Sequence, residues 1–130
     1  MINSNVDDRV SELTNSLAIF CGAVEGEEAS ALAERLTDYN NSFTGISLSM
    51  IGFKYNALIK VGKDRYNDYI LNDIRKIYKP LLDNGATSFW KTEDPDSQSD
   101  ATSRCHGWSA MPVYYYHTLK ETDNVLKYYE

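Results

Sequence analysis

Apolar residues recur along the chain at steps of three and four, the spacing of one face of an α-helix, in blocks set apart by glycine, asparagine and proline. Val6, Val10, Leu13, Leu17 and Phe20 form the first stripe, with Asn5 in the N-cap position, Asp7 and Asp8 in the first turn and Gly22 as the stop. A second stripe, Ala29, Leu32, Ala33, Leu36 and Tyr39, begins after Gly26 with Glu27 and Glu28 at the positive end of the helix, and Asn40 and Asn41 close it. Two helices joined by so short a link predict a helical hairpin.

The third stripe is Leu48, Ile51, Gly52, Tyr55, Leu58 and Ile59, which follows a capping region from Thr44 to Ser47 and ends at Gly62. Gly52 on that face predicts the close approach of a neighbouring helix. Asp64 caps a fourth run carrying Tyr66, Ile70, Ile74 and Ile77, and Pro80 is expected to kink or end it ahead of Leu81, Leu82 and the Asn84–Gly85 stop. Thr87 to Trp90 has the composition of a short strand, and residues 91–104 are nearly devoid of apolar side chains, as in an exposed loop. A last helix is expected from about Ser109 to Lys120, with Pro112 in its first turn, where a missing N–H does little harm.

The pattern predicts an all-α fold of antiparallel αα-hairpins with about five helices, in one domain spanning residues 1–130. An odd helix lacks a hairpin partner, so its apolar face needs some other cover. Chain length agrees with a single domain, and 42% hydrophobic with 25% charged residues agrees with a soluble globular chain able to build a core.

Thirteen basic against nineteen acidic residues give a net charge of −6, with no basic run long enough to track a phosphate backbone or an anionic lipid surface. Neither nucleic acid nor a membrane is an expected partner. No stretch has the length of a spanning helix, and the polar, acidic start from Met1 to Arg9 lacks the pattern of a signal peptide, so the expected location is the cytoplasm. Cys21 and Cys105 have no metal-type spacing and are expected as reduced thiols, although their separation leaves open whether they meet. His106 and His117 lack ligand partners at helical spacing, and the acidic loop of Glu93, Asp94, Asp96 and Asp100 lacks the EF-hand pattern. No metal and no cofactor is expected. Cys105 beside His106 does not make a nucleophile pair, because side chains of adjacent residues rarely face each other.

Two clusters exceed helix punctuation: Gly85-Ala86-Thr87-Ser88-Phe89-Trp90-Lys91, and Ser103-Arg104-Cys105-His106-Gly107-Trp108-Ser109-Ala110. They hold both tryptophans of the chain, whose indole faces stack on the C–H faces of sugars and on cations, and a histidine able to donate to a hydroxyl. Both indoles plugging the core is the alternative reading of the same residues.

GATSFW, a polar loop, and then CHGWSAMPVYYY resemble the end of the catalytic domain of α-L-rhamnosidases, the inverting glycoside hydrolases of family 78 in the six-hairpin glycosidase group. SELTNSLAIFCG and ALAERL are similar to helices that precede those motifs in the family, so the resemblance runs from about Val6 to Leu119. It implies the C-terminal part of an (α/α)6 toroid surrounding a sugar pocket, with Trp90, His106 and Trp108 as substrate-binding residues and a rhamnoside or other carbohydrate as ligand.

The family's general base follows the Trp of GATxxW, a position held here by Lys91, and an ammonium accepts no proton unless burial lowers its pKa by several units. Glu93 stands two residues on as a possible substitute. Inverting chemistry, however, needs two carboxyls roughly 6.5–9.5 Å apart across the sugar, and nothing in the chain matches the family's general-acid region. The expectation is a domain fragment with a remnant sugar pocket that is not catalytically competent alone. Cutting a ring of hairpins exposes apolar flanks, which predicts a homo-oligomer. The alternative is a non-catalytic, self-associating helical scaffold.

Overall fold

In the computed structural model the described residues are 10–91 and 104–120. Four α-helices follow in order: α1 (Glu12–Phe20), α2 (Gly26–Thr37), α3 (Ile51–Asp83) and α4 (Met111–Lys120), the last preceded by a 3-10 turn over Gly107–Ala110. The fold is all-α. The count is four rather than about five because the third and fourth apolar stripes both lie in α3, where Gly62 alone leaves helical geometry (φ 179°, ψ 96°) and sets off two arms.

The arms are antiparallel. Tyr55 on the first arm donates to Asp73 on the second across 3.0 Å, whereas 18 residues of straight helix would hold their Cα atoms about 27 Å apart. The chain therefore reverses at Gly62, and α3 is itself a helical hairpin. Pro80 does not end the second arm, which continues to Asp83; a proline there costs one backbone bond near a helix end already short of partners.

Residue pairs give the other directions. Glu12 meets Lys54, and the carbonyls of Ile19 and Phe20 accept from Lys60, so α1 runs parallel to the first arm. Glu34 pairs with Arg65 and Tyr39 stacks on Tyr69, so α2 runs parallel to the second arm and antiparallel to α1. Tyr78 donates to the Ser109 carbonyl and Asn67 to that of Leu119, so α4 returns antiparallel to the second arm. Successive helical runs thus alternate in direction, with the α3 hairpin touching α1, α2 and α4.

The first helix starts at Glu12, later than its apolar stripe suggests, with Ser11 as its N-cap, whose side chain accepts from the Leu13 N–H. Thr44 joins the end of that helix from a distance, its carbonyl accepting from Glu12 N–H at 3.0 Å and its N–H donating to Val10 at 2.8 Å. Ser11 is thereby paired with Thr44 in a single parallel bridge, and Val10, whose carbonyl accepts from Thr44, lies before the helix. Asn5, Val6, Asp7 and Asp8 lie outside the described residues. Thr87 to Trp90 forms no strand, since its one regular partner is the His106 N–H, which donates to Phe89 at 2.7 Å.

Ile19, Leu36, Leu48, Ile51, Leu58 and Ile70 are buried in one apolar core, which Tyr55 and Tyr115 complete with an edge-to-face contact at 5.1 Å. Gly52 lets α4 come close, as its position on the third stripe predicts: a Cβ there would lie 3.2 Å from Met111 Cε and 3.3 Å from Tyr115 Oη. That hydroxyl donates to the Gly52 carbonyl at 2.8 Å.

Candidate functional site

The two sequence clusters meet through the backbone. Besides the Phe89–His106 bond, Ser88 Oγ donates to the Arg104 carbonyl, so the segment after α3 and the segment before α4 lie side by side. The 3-10 turn that follows is anchored from below, because Ser109 is fully buried and its carbonyl accepts from Tyr78 at 2.9 Å.

This anchoring sends the two tryptophans to different places. Trp90 is only 7% exposed within the core, and the Arg104 guanidinium lies 5.1 Å from its ring. Trp108, at 69% exposure, stands over a groove of about 230 Å³ between the first turn of α3 and the start of α4. Met50, Gly52, Phe53 and Met111 form the apolar floor, with Ser49 and Asn56 at the polar edge. His106 is half-buried, occupies the cap position of the 3-10 turn without a side-chain cap bond, and does not line this groove.

Asn56 is fixed by Tyr115, whose Oη lies 2.9 Å from its side-chain oxygen while donating to Gly52. A phenol has one proton, so only one of the two contacts is a donation from Tyr115; turning the Asn56 amide over satisfies both. The groove can stack a flat apolar face and offer amide and hydroxyl hydrogen bonds. Its described lining carries no carboxylate, hence no acid or base.

Lys91 is exposed. Glu93 and the acidic residues after it lie outside the described residues. Cys21 and Cys105 are both exposed and no disulfide joins them. Among the described residues no group of three or more His, Cys, Asp and Glu side chains is placed to hold a metal ion, and no helix is long and apolar enough to cross a membrane.

A second constellation escaped the sequence reading. Glu12, at the start of α1, accepts from Lys54 Nζ on one oxygen and from the Ile46 N–H on the other, each at 3.1 Å, and the ion pair is almost completely buried. Asp73, 3% exposed, faces them from the second arm of α3. Three tyrosines surround this charge: Tyr55 donates to Asp73, Tyr69 lies under the Lys54 ammonium at 5.6 Å, and Tyr39 stacks on Tyr69. Burial first, and the Asp73 carboxylate second, push all three phenols above their ordinary pKa. A signal existed: Lys54 and Asp73 each sit three residues after an isoleucine of their stripe, Ile51 and Ile70, so charges occupied positions where helical periodicity asks for apolar side chains.

No family model, curated protein or solved structure matches the chain.

Proposed function

We propose that this chain is a rhamnosidase-like helical module that binds a carbohydrate ring on Trp108 and does not hydrolyse it. The observation that carries the reading is the exposed indole beside a groove with an apolar floor and an amide-and-hydroxyl edge. Sugars present that combination in reverse, an apolar C–H face ringed by hydroxyls. Absence of hydrolysis follows from Lys91 in the base position and from a described groove lining without carboxylates. The Phe89–His106 bond and the Arg104–Trp90 contact join the segments next to the turn that carries Trp108. The reading places the protein in the cytoplasm.

Intrinsic fluorescence tests it, because one of the two tryptophans is solvent-exposed and the other buried. L-Rhamnose should produce a saturable change that glucose does not, and Trp108→Phe should abolish it. A flat response to L-rhamnose overturns the proposal.

A second reading, a self-associating scaffold, is favoured by one observation: Leu82, Val113 and Tyr114 are large apolar side chains left exposed on α3 and α4. Sedimentation at micromolar concentration decides it, since a monomer there removes this reading and leaves the first untouched.

A further inference from the structure

Between the two arms of α3 and the loop before them lies a cavity of about 280 Å³, distinct from the Trp108 groove and lined by neither tryptophan. Its polar side holds Lys54, Asp73, Lys76 and Tyr39; Ile46, Ile51, Ile77 and Pro80 form its apolar side. Glu12 also borders it, but both of its oxygens are engaged, by Lys54 and by the Ile46 N–H.

Lys54 and Asp73 are different. Lys54, 5% exposed, has three N–H donors and meets one acceptor, Glu12 Oε1. Asp73, 3% exposed, accepts from Tyr55 on Oδ2, and the hydroxyls of Tyr39, at the edge of the cavity, and of Tyr69 also face it. The two do not pair with each other, although both border the same space. The Tyr69 hydroxyl next to them is buried and also unpartnered. Buried charges with spare hydrogen-bonding capacity are costly, and a fold tolerates them where something else completes their shell.

We propose that this cavity binds a small zwitterion of the apolar α-amino-acid class. The ligand's ammonium meets Asp73 among these phenols, its carboxylate takes the spare Lys54 protons with Lys76 at the mouth, and its side chain lies on Ile51 and Ile77. Charge balance suits this class: Glu12 and Asp73 against Lys54 and Lys76 leave the lining neutral while presenting both signs, which a zwitterion matches without leaving net charge. A polyol meets the neutrality but would press hydroxyls against the isoleucine wall without partners. Size supports it too, the volume being just below the roughly 300–1,000 Å³ of drug-sized sites.

Calorimetric titration of the full chain tests the assignment with L-leucine, isovalerate, isoamylamine and sorbitol as probes. L-Leucine should bind saturably, and isovalerate and isoamylamine, each missing one charge, should bind at least about tenfold more weakly. Lys76→Gln, at an exposed position that leaves the core intact, should weaken L-leucine severalfold without moving the thermal midpoint. L-Rhamnose should not compete, which separates this site from the Trp108 groove. No saturable L-leucine heat, equal affinity for the singly charged analogues, or preference for sorbitol would each overturn the proposal. Because the ligand series uses the native chain, none of these outcomes depends on a variant that folds.

Discussion

Tyr55 and Asp73 stand on the two arms of one helix, on opposite sides of the Gly62 break, and are joined by a hydrogen bond of 3.0 Å. The bond bridges the reversal of the chain inside the core, where neither group has water to fall back on. Replacing Tyr55 by Phe keeps the edge-to-face contact with Tyr115 and removes the donor alone. The expected cost is about 1.5–3 kcal/mol, the range for a hydrogen bond to a charged group, read from the urea midpoint. A loss below about 0.5 kcal/mol would show that Asp73 does not depend on this donor.

The Glu12–Lys54 pair ties the start of α1 to the first arm of α3 with side chains only 12% and 7% exposed. Lys54→Met leaves Glu12 buried with one charge uncompensated and should cost about 3–5 kcal/mol. Adding Glu12→Gln should recover much of that, because the stranded charge is then gone. A double-mutant cycle on denaturant midpoints reads the coupling, and strict additivity would contradict it.

Alkaline pH should unfold the protein through its buried phenols. Below pH about 10 a tyrosine is protonated in both folded and unfolded chains, so it contributes no pH dependence. Above that value the unfolded chain releases the proton while Tyr55, its folded pKa raised by burial and by Asp73, retains it. The unfolded state then binds fewer protons, so stability falls as pH rises, by up to about 1.4 kcal/mol per pH unit for this one group. Tyrosinate absorbance should therefore rise together with loss of helical circular dichroism, and a gradual rise in a chain that stays folded would refute the assignment.

The two tryptophans should separate stability from binding. Trp90→Ala empties a core position and should cost about 3–5 kcal/mol. Trp108→Ala, at an exposed position, should change stability by no more than about 0.5 kcal/mol. Thermal melts of the two variants check the contrast, and similar midpoints would contradict it.

Much of the helical skeleton is written in local periodicity. The stripes around Leu17, Leu36, Leu58 and Ile74 mark helical runs because each apolar face repeats at 3.6 residues, and Gly62 breaks the third from the fourth by lacking a side chain to hold helical geometry. Gly52 announces the approach of α4 for the same local reason. The start of α1 was illegible, since Thr44 captures the Glu12 N–H from a distant loop and pairs with Ser11 in a single bridge, and no neighbouring residue encodes that contact.

The site divides along the same line. Sequence alone singled out Trp90, His106 and Trp108 as candidate site residues, residue counts made the chain acidic, and apolar periodicity made it all-α. Only the tertiary structure decided which indole faces solvent, because Ser109 and Tyr78 lock the turn between them so that Trp108 points outward while Trp90 fills the core. Only the tertiary structure, likewise, gathered Glu12, Lys54 and Asp73 from α1 and the two arms of α3. Periodicity reports which face of a helix turns inward; which charges share that interior depends on how helices far apart in the chain are laid against one another.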